Sequence, residues 1–115
     1  MSMDYRKTYR VAIDDGAGTM TDFAIRTELL KDGKREYIRY YNFEREHVFY
    51  GRLKKQTKDG FVFKTAENGW TLTFAELTLQ DFNDNIRPNL PQEVSEMLVD
   101  LDDVYTWLRQ QAKIN

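Results

Sequence analysis

Tyr37, Arg39 and Tyr41 alternate with Ile38 and Tyr40. On an extended strand successive side chains point to opposite faces, so this spacing stands two phenol rings and a guanidinium side by side. Rings interleaved with cations can stack on nucleobases while meeting phosphates, or engage the carboxylates of a protein partner. Arg26 falls on the preceding strand, and Arg52 and Lys54 follow on the next one. Arg26, Tyr37, Arg39, Tyr41, Arg52 and Lys54 are therefore the candidate binding residues.

Two other groups have the right atoms for chemistry. Asp14, Asp15 and Asp22 flank a Gly16-Ala17-Gly18 turn, and carboxylate oxygens are what hard divalent cations take. Their spacing matches no calcium loop, and the plain reading is an ordinary acidic β-turn. His47 is the sole histidine. A general base needs a pocket and an orienting partner, and the parity of His47 with Phe49 and Leu53 suits a strand-edge residue that caps the core. The chain has no Gly-x-Ser-x-Gly, phosphate-binding Gly-rich loop or HExxH motif. No catalytic residue, metal or cofactor is expected.

The elements that position these residues follow from period-two alternation and turn signals. Strands are expected at about 5–13, 20–30, 35–42, 47–55 and 61–65, with a sixth running on from Trp70 through Phe74. Asp32-Gly33 and Asn68-Gly69 suit two-residue type I′ turns, and Lys58-Asp59-Gly60 suits a three-residue loop with Gly60 left-handed. These turns set position 26 opposite 39, and 65 opposite 72. Phe23, Ile25, Ile38 and Tyr40 then share a core face, as do Phe49, Leu53, Phe61, Phe63, Trp70, Leu72 and Phe74. Ala24, Arg26, Glu28, Tyr37, Arg39 and Tyr41 take the outer face. Two like charges opposed across a ladder, Arg26 and Arg39, are mildly unfavourable unless an anion lies between them.

A helix is expected over about 91–112. Pro91 suits its first turn, and Val94, Met97, Leu101, Val104 and Leu108 form an apolar stripe. Asp100 and Asp103 lie off that stripe. Residues 76–88 read as a seventh short strand or as a helical turn around Phe82 and Ile86. The fold class is α+β: an antiparallel β-meander of about six strands, curved or barrel-like, with one C-terminal amphipathic helix packed against it. Residues 1–115 read as a single domain.

Composition bounds what such a domain does. Of 115 residues, 41% are apolar and 14% aromatic, too many for a disordered chain. The absence of cysteine excludes disulfides and thiolate chemistry and leans towards a reducing compartment, so a cytoplasmic location is expected. The stretch Met1–Arg6 shows no apolar signal-peptide core, and no apolar run approaches the ~20 residues of a membrane span. Residues 31–58 hold nine Lys/Arg against four Asp/Glu, a net +5, whereas residues 80–115 hold three against seven, a net −4. Either the two poles neutralise one another across the fold, or one is a binding face. The expected function is a non-enzymatic interaction module that binds a protein partner or self-associates. The alternatives are single-stranded nucleic-acid binding through the Tyr/Arg face, and a small enzyme or metal site at the Asp14–Asp22 loop.

Overall fold

A computed structural model describes residues 7–111. Seven strands run β1 (Tyr9–Asp14), β2 (Thr19–Ala24), β3 (Arg26–Asp32), β4 (Arg35–Tyr41), β5 (Glu46–Gln56), β6 (Gly60–Thr65) and β7 (Thr71–Glu76). They form one antiparallel sheet in the order β2-β1-β7-β6-β5-β4-β3. The expected beginning of the first strand at Tyr5 lies outside the described residues.

The count is seven rather than six because the segment expected as one strand, 20–30, breaks at Ile25. Its first half pairs with β1 and its second half with β4, and the Ile25 N–H bonds the Tyr41 carbonyl at 2.8 Å. The two edges of the sheet are thus consecutive strands meeting at one corner. The sheet is curved and barrel-like, and no ladder closes it. The break also reverses the parity. Ala24 is buried inside, and beyond the corner Thr27 and Leu29 turn inward. Phe23 and Ile25 therefore leave the expected core face and pack outside it, among the helices. Arg26 and Glu28 keep the outer face.

Two turns differ from expectation by an even step. At β3–β4, Asp32 pairs Arg35 around Gly33-Lys34, with Gly33 at φ +65°. Arg26 therefore lies opposite Tyr41, and Glu28 opposite Arg39. At β6–β7 the loop takes four residues. The Thr65 N–H reaches the Trp70 carbonyl and the Gly69 N–H reaches the Thr65 carbonyl, so Phe63 opposes Leu72. A shift of two preserves faces, and Phe61, Phe63, Leu72 and Phe74 still line the interior with Tyr9, Val11, Ile13, Ile38 and Tyr40. Gly60 is not left-handed; it opens β6 beside the Phe74 carbonyl.

The C-terminal half is not one helix. It comprises α1 (Leu79–Asn85), a 3₁₀ turn (Arg87–Asn89), α2 (Gln92–Met97) and α3 (Leu101–Gln111). Thr78 and Asp81 cap α1 reciprocally. Asp100 and Asp103 do the same at the start of α3: Asp103 N–H donates to Asp100 Oδ1 at 2.9 Å, and the N–H groups of Val99 and Asp100 donate to Asp103 Oδ2 at 3.3 Å. That box starts a new helix where the apolar stripe would have continued. Met97 is consequently 74% exposed rather than core, while Leu98, Val104 and Leu108 are buried with Ile25, Leu77, Phe82 and Ile86. The Tyr105 hydroxyl donates to the Leu77 carbonyl at 2.8 Å and anchors α3 to the end of β7. Among the described residues no helix is long and apolar enough to cross a membrane.

Candidate functional site

The outer face of β3, β4 and β5 carries the candidate residues in rows. Arg26, Tyr41 and Glu46 stand abreast; so do Glu28, Arg39 and Val48, and then Leu30, Tyr37 and Tyr50. The structure brings Arg26, Tyr37, Arg39 and Tyr41 together, and carboxylates of the same face meet Arg26, Arg39 Nη2 and the Tyr41 hydroxyl, while Arg39 Nε is buried without a hydrogen-bond partner. Arg39 Nη2 donates to Glu28 Oε2 at 2.9 Å, and Arg26 lies 3.5 Å from Glu28 Oε1. The Tyr41 hydroxyl donates to Glu46 Oε2 at 2.8 Å. The hydrogen bond to Glu28 raises the Arg39 pKa further, and the bond to Glu46 raises that of Tyr41. The expected opposition of Arg26 and Arg39 does not exist, because the even-step shift at the turn sets a glutamate between them.

Arg52 and Lys54 lie apart from this group, on the second half of β5. That strand pairs with β4 up to Gly51 and with β6 from Gly51 onward, where Gly51 meets both Glu36 and Thr65. A Cβ at position 51 would stand 1.9 Å from the Lys64 carbonyl oxygen, so only glycine lets the backbones approach. A bulge follows, with Lys54 left between the pairs Leu53–Phe63 and Lys55–Val62. Bend and bulge shape a groove of about 380 Å³, and its charged lining is Lys34, Arg35, Arg52, Lys54 and Lys64. Five cations meet there with no carboxylate in the lining, and none of the five forms an ion pair with a described residue. Tyr50 is its aromatic member. The Arg35 guanidinium sits 4.1 Å over the Tyr50 ring, and Tyr37 packs against the same ring at 5.1 Å.

Lys34, Arg35 and Lys64 were outside the expected site. Their signal is present in the chain as the pair Lys34-Arg35 beside a turn, but it takes the β5 bend to bring Lys64 alongside.

The acidic loop separates into two parts. Asp14 Oδ1 accepts the Gly16 N–H, and Asp15 Oδ1 accepts those of Ala17 and Gly18, each at 2.9 Å. These bonds close the turn, and the two backbone donors hold the Asp15 carboxyl below its usual range. Asp22 lies further along β2 beside Tyr40 and Asn42. Among the described residues no group of three or more carboxylate or imidazole side chains is arranged to hold a metal. His47 stands on the inner side, stacked on Tyr40 with ring centres 4.8 Å apart.

No family model matches the chain, and no curated protein or solved structure matches it.

Proposed function

We propose that the protein is a non-enzymatic interaction module that docks an acidic segment of a protein partner in the groove of Lys34, Arg35, Arg52, Lys54 and Lys64. The observation that carries this reading is five cations converging on one concave surface without a carboxylate among them. Uncompensated like charge costs stability to the fold and favours any ligand that neutralises it. The absence of cysteine suits a reducing, cytoplasmic setting for this chain.

An acidic peptide fits better than single-stranded nucleic acid. Sequence-tolerant nucleic-acid grooves offer free aromatic faces on which bases stack. Here the Tyr50 ring is already engaged by Arg35 and Tyr37, which leaves charge without stacking.

Fluorescence anisotropy tests this with a labelled Glu/Asp-rich peptide and a single-stranded oligonucleotide of equal length, each at low and near-physiological salt. The expected result is peptide binding that weakens with salt and falls about tenfold or more in the Arg52→Glu/Lys54→Glu variant. Tighter binding of the oligonucleotide would make the groove a nucleic-acid site. Binding of neither ligand at low salt would overturn the reading.

A further inference from the structure

The open mouth of the curved sheet forms a second cleft, of about 660 Å³, between β2 and the start of β5, and it shares no lining residue with the basic groove. Volumes of this size are typical of small-molecule sites. Its aromatic wall is continuous: His47 stacks on Tyr40, Tyr40 on Phe49 at 6.3 Å, and Phe49 meets Trp70 at 6.4 Å. Its rim is apolar. The described residues include five large hydrophobic side chains left exposed. Of these Met20 lines this cleft, and Phe43 sits in the rim loop between the lining residues Asn42 and Glu44.

Asp22 lies in this aromatic setting with its side chain only 26% exposed. Three neutral donors hold it. The Phe23 N–H reaches Oδ1 at 2.8 Å, the Tyr40 hydroxyl reaches Oδ2 at 2.9 Å, and Asn42 Nδ2 reaches Oδ2 at 3.1 Å. Asn42 Nδ2 also lies 3.4 Å from Oδ1, so every donor on this carboxylate is neutral, and no arginine or lysine lies within ion-pair distance among the described residues. The nearest ionisable nitrogen is His47 Nε2 at 4.0 Å, and burial keeps that ring from taking up a proton as readily as a free histidine. Around the mouth Glu44 and Arg45 bring one charge of each sign, and the Glu46 carboxylate is taken up on the outer face by the Tyr41 hydroxyl. The cleft therefore combines a carboxylate lacking a full counter-charge, the half-buried rings of Phe49 and Trp70, whose faces attract cations, and an apolar entrance.

We infer that the mouth binds a small organic ammonium carried on an apolar body. The charged head would approach the Asp22 carboxylate beside His47 and Trp70, and the apolar body would cover Met20 and Phe43. This rests on a different surface from the basic groove, and either stands without the other.

The test is an NMR titration of ¹⁵N-labelled protein with phenethylamine, alongside 2-phenylethanol as the neutral isostere and 3-phenylpropionate as the anion. The amine is expected to shift the amides around Asp22, His47 and Trp70 with a Kd of about 1 mM or tighter, and the other two are expected to leave them unmoved. Asp22→Asn should weaken amine binding about tenfold or more. Because that substitution touches buried partners, Met20→Lys provides a second variant at an exposed position of the cleft lining, where a new ammonium would compete and reduce binding by a similar factor. Equal binding of the alcohol, unchanged binding by either folded variant, or no shift with the amine at millimolar concentration would overturn the proposal.

Discussion

Asn42 sets the protonation chemistry at the mouth of the sheet. Its Oδ1 accepts the N–H groups of Glu44 and Arg45 at 2.8 and 2.9 Å, which leaves Nδ2 as the donor towards Asp22 and, at 3.0 Å, towards His47 Nε2. Nε2 must then be the acceptor, and the neutral ring carries its hydrogen on Nδ1. Burial lowers the His47 pKa below 6.5 and Arg45 adds to that, while Asp22 and Glu44 oppose it. The unfolded chain consequently binds more protons between that lowered value and 6.5, so stability is retained above this window and declines as the pH falls through it. Replacing His47 by Gln should flatten the pH dependence of urea unfolding below pH 6.5, and long-range ¹⁵N couplings should identify the Nδ1–H form at neutral pH.

Tyr40 responds at the other end of the scale. Its pKa is raised above the ordinary 10.0, first by burial and then by the nearby Asp22 carboxylate that its hydroxyl bonds. The fold thus keeps this contribution below pH 10 and loses it as the pH climbs and the unfolded phenol ionises. Tyr40→Phe should cost about 1–2 kcal/mol at neutral pH and reduce the alkaline loss of stability, read by chemical denaturation at pH 7 and above pH 10. The inward parity of His47 was legible in the chain from Phe49 and Leu53. Its network was not, because it depends on a loop amide whose orientation two backbone donors fix.

The strands show why faces are easier to read than partners. Both misplaced turns moved by two residues, and a period of two returns each side chain to its original face. The corner at Ile25 is different: it advances the alternation by one, so Phe23 and Ala24 exchange sides. Nothing in the run Asp22-Phe23-Ala24-Ile25 marks that step, since apolar residues occupy three of its four positions. The helix break had a local sign in Asp100-x-x-Asp103, a capping box that a continuous apolar stripe masks.

Close approach gives β5 its own test. Gly51→Ala and Gly60→Ala would push a methyl group into the carbonyls of Lys64 and Phe74, and each should cost about 1–3 kcal/mol or more. Gly18→Ala meets open space and should stay within about 0.5 kcal/mol of the parent. Thermal and urea unfolding of the three variants would check the contrast. In the helical half, Arg87 has the corresponding role. Its Nη1 donates to the Ser95 carbonyl and Nη2 to the Leu98 carbonyl, both at 2.6 Å, and its guanidinium lies 5.0 Å from the centre of the Phe82 ring. Arg87→Met removes charged donors from the C-terminal end of α2 and should destabilise by about 2–3 kcal/mol.

At the scale of the molecule, charge is sorted rather than balanced. Glu28 and Glu46 answer cations and a hydroxyl of the β3–β4 face, whereas the five groove cations form no ion pair with a described residue. The acidic helical half packs instead around Ile25 and Phe23, where Arg10 reaches Asp81 at 3.4 Å. Neutralisation across the fold and a binding face are the two alternatives, and no ion pair among the described residues joins residues 31–58 to residues 80–115. Because groove and mouth share no residue, a saturating acidic peptide should leave the affinity for phenethylamine within about twofold, which a competition titration would measure.

The order β2-β1-β7 carries a consequence for how the chain is made. Tyr9 takes Glu76 as its ladder partner, and Asp14 takes Thr71. The β1–β2 hairpin leaves the ribosome first but has no neighbour on its β1 side until Glu76 has been synthesised. The strands from β3 to β7 can meanwhile pair through short local turns. Docking of the first hairpin is therefore the long-range closure, the slow step that contact order penalises, and the helices that seal the Ile25 corner are translated only after it becomes possible.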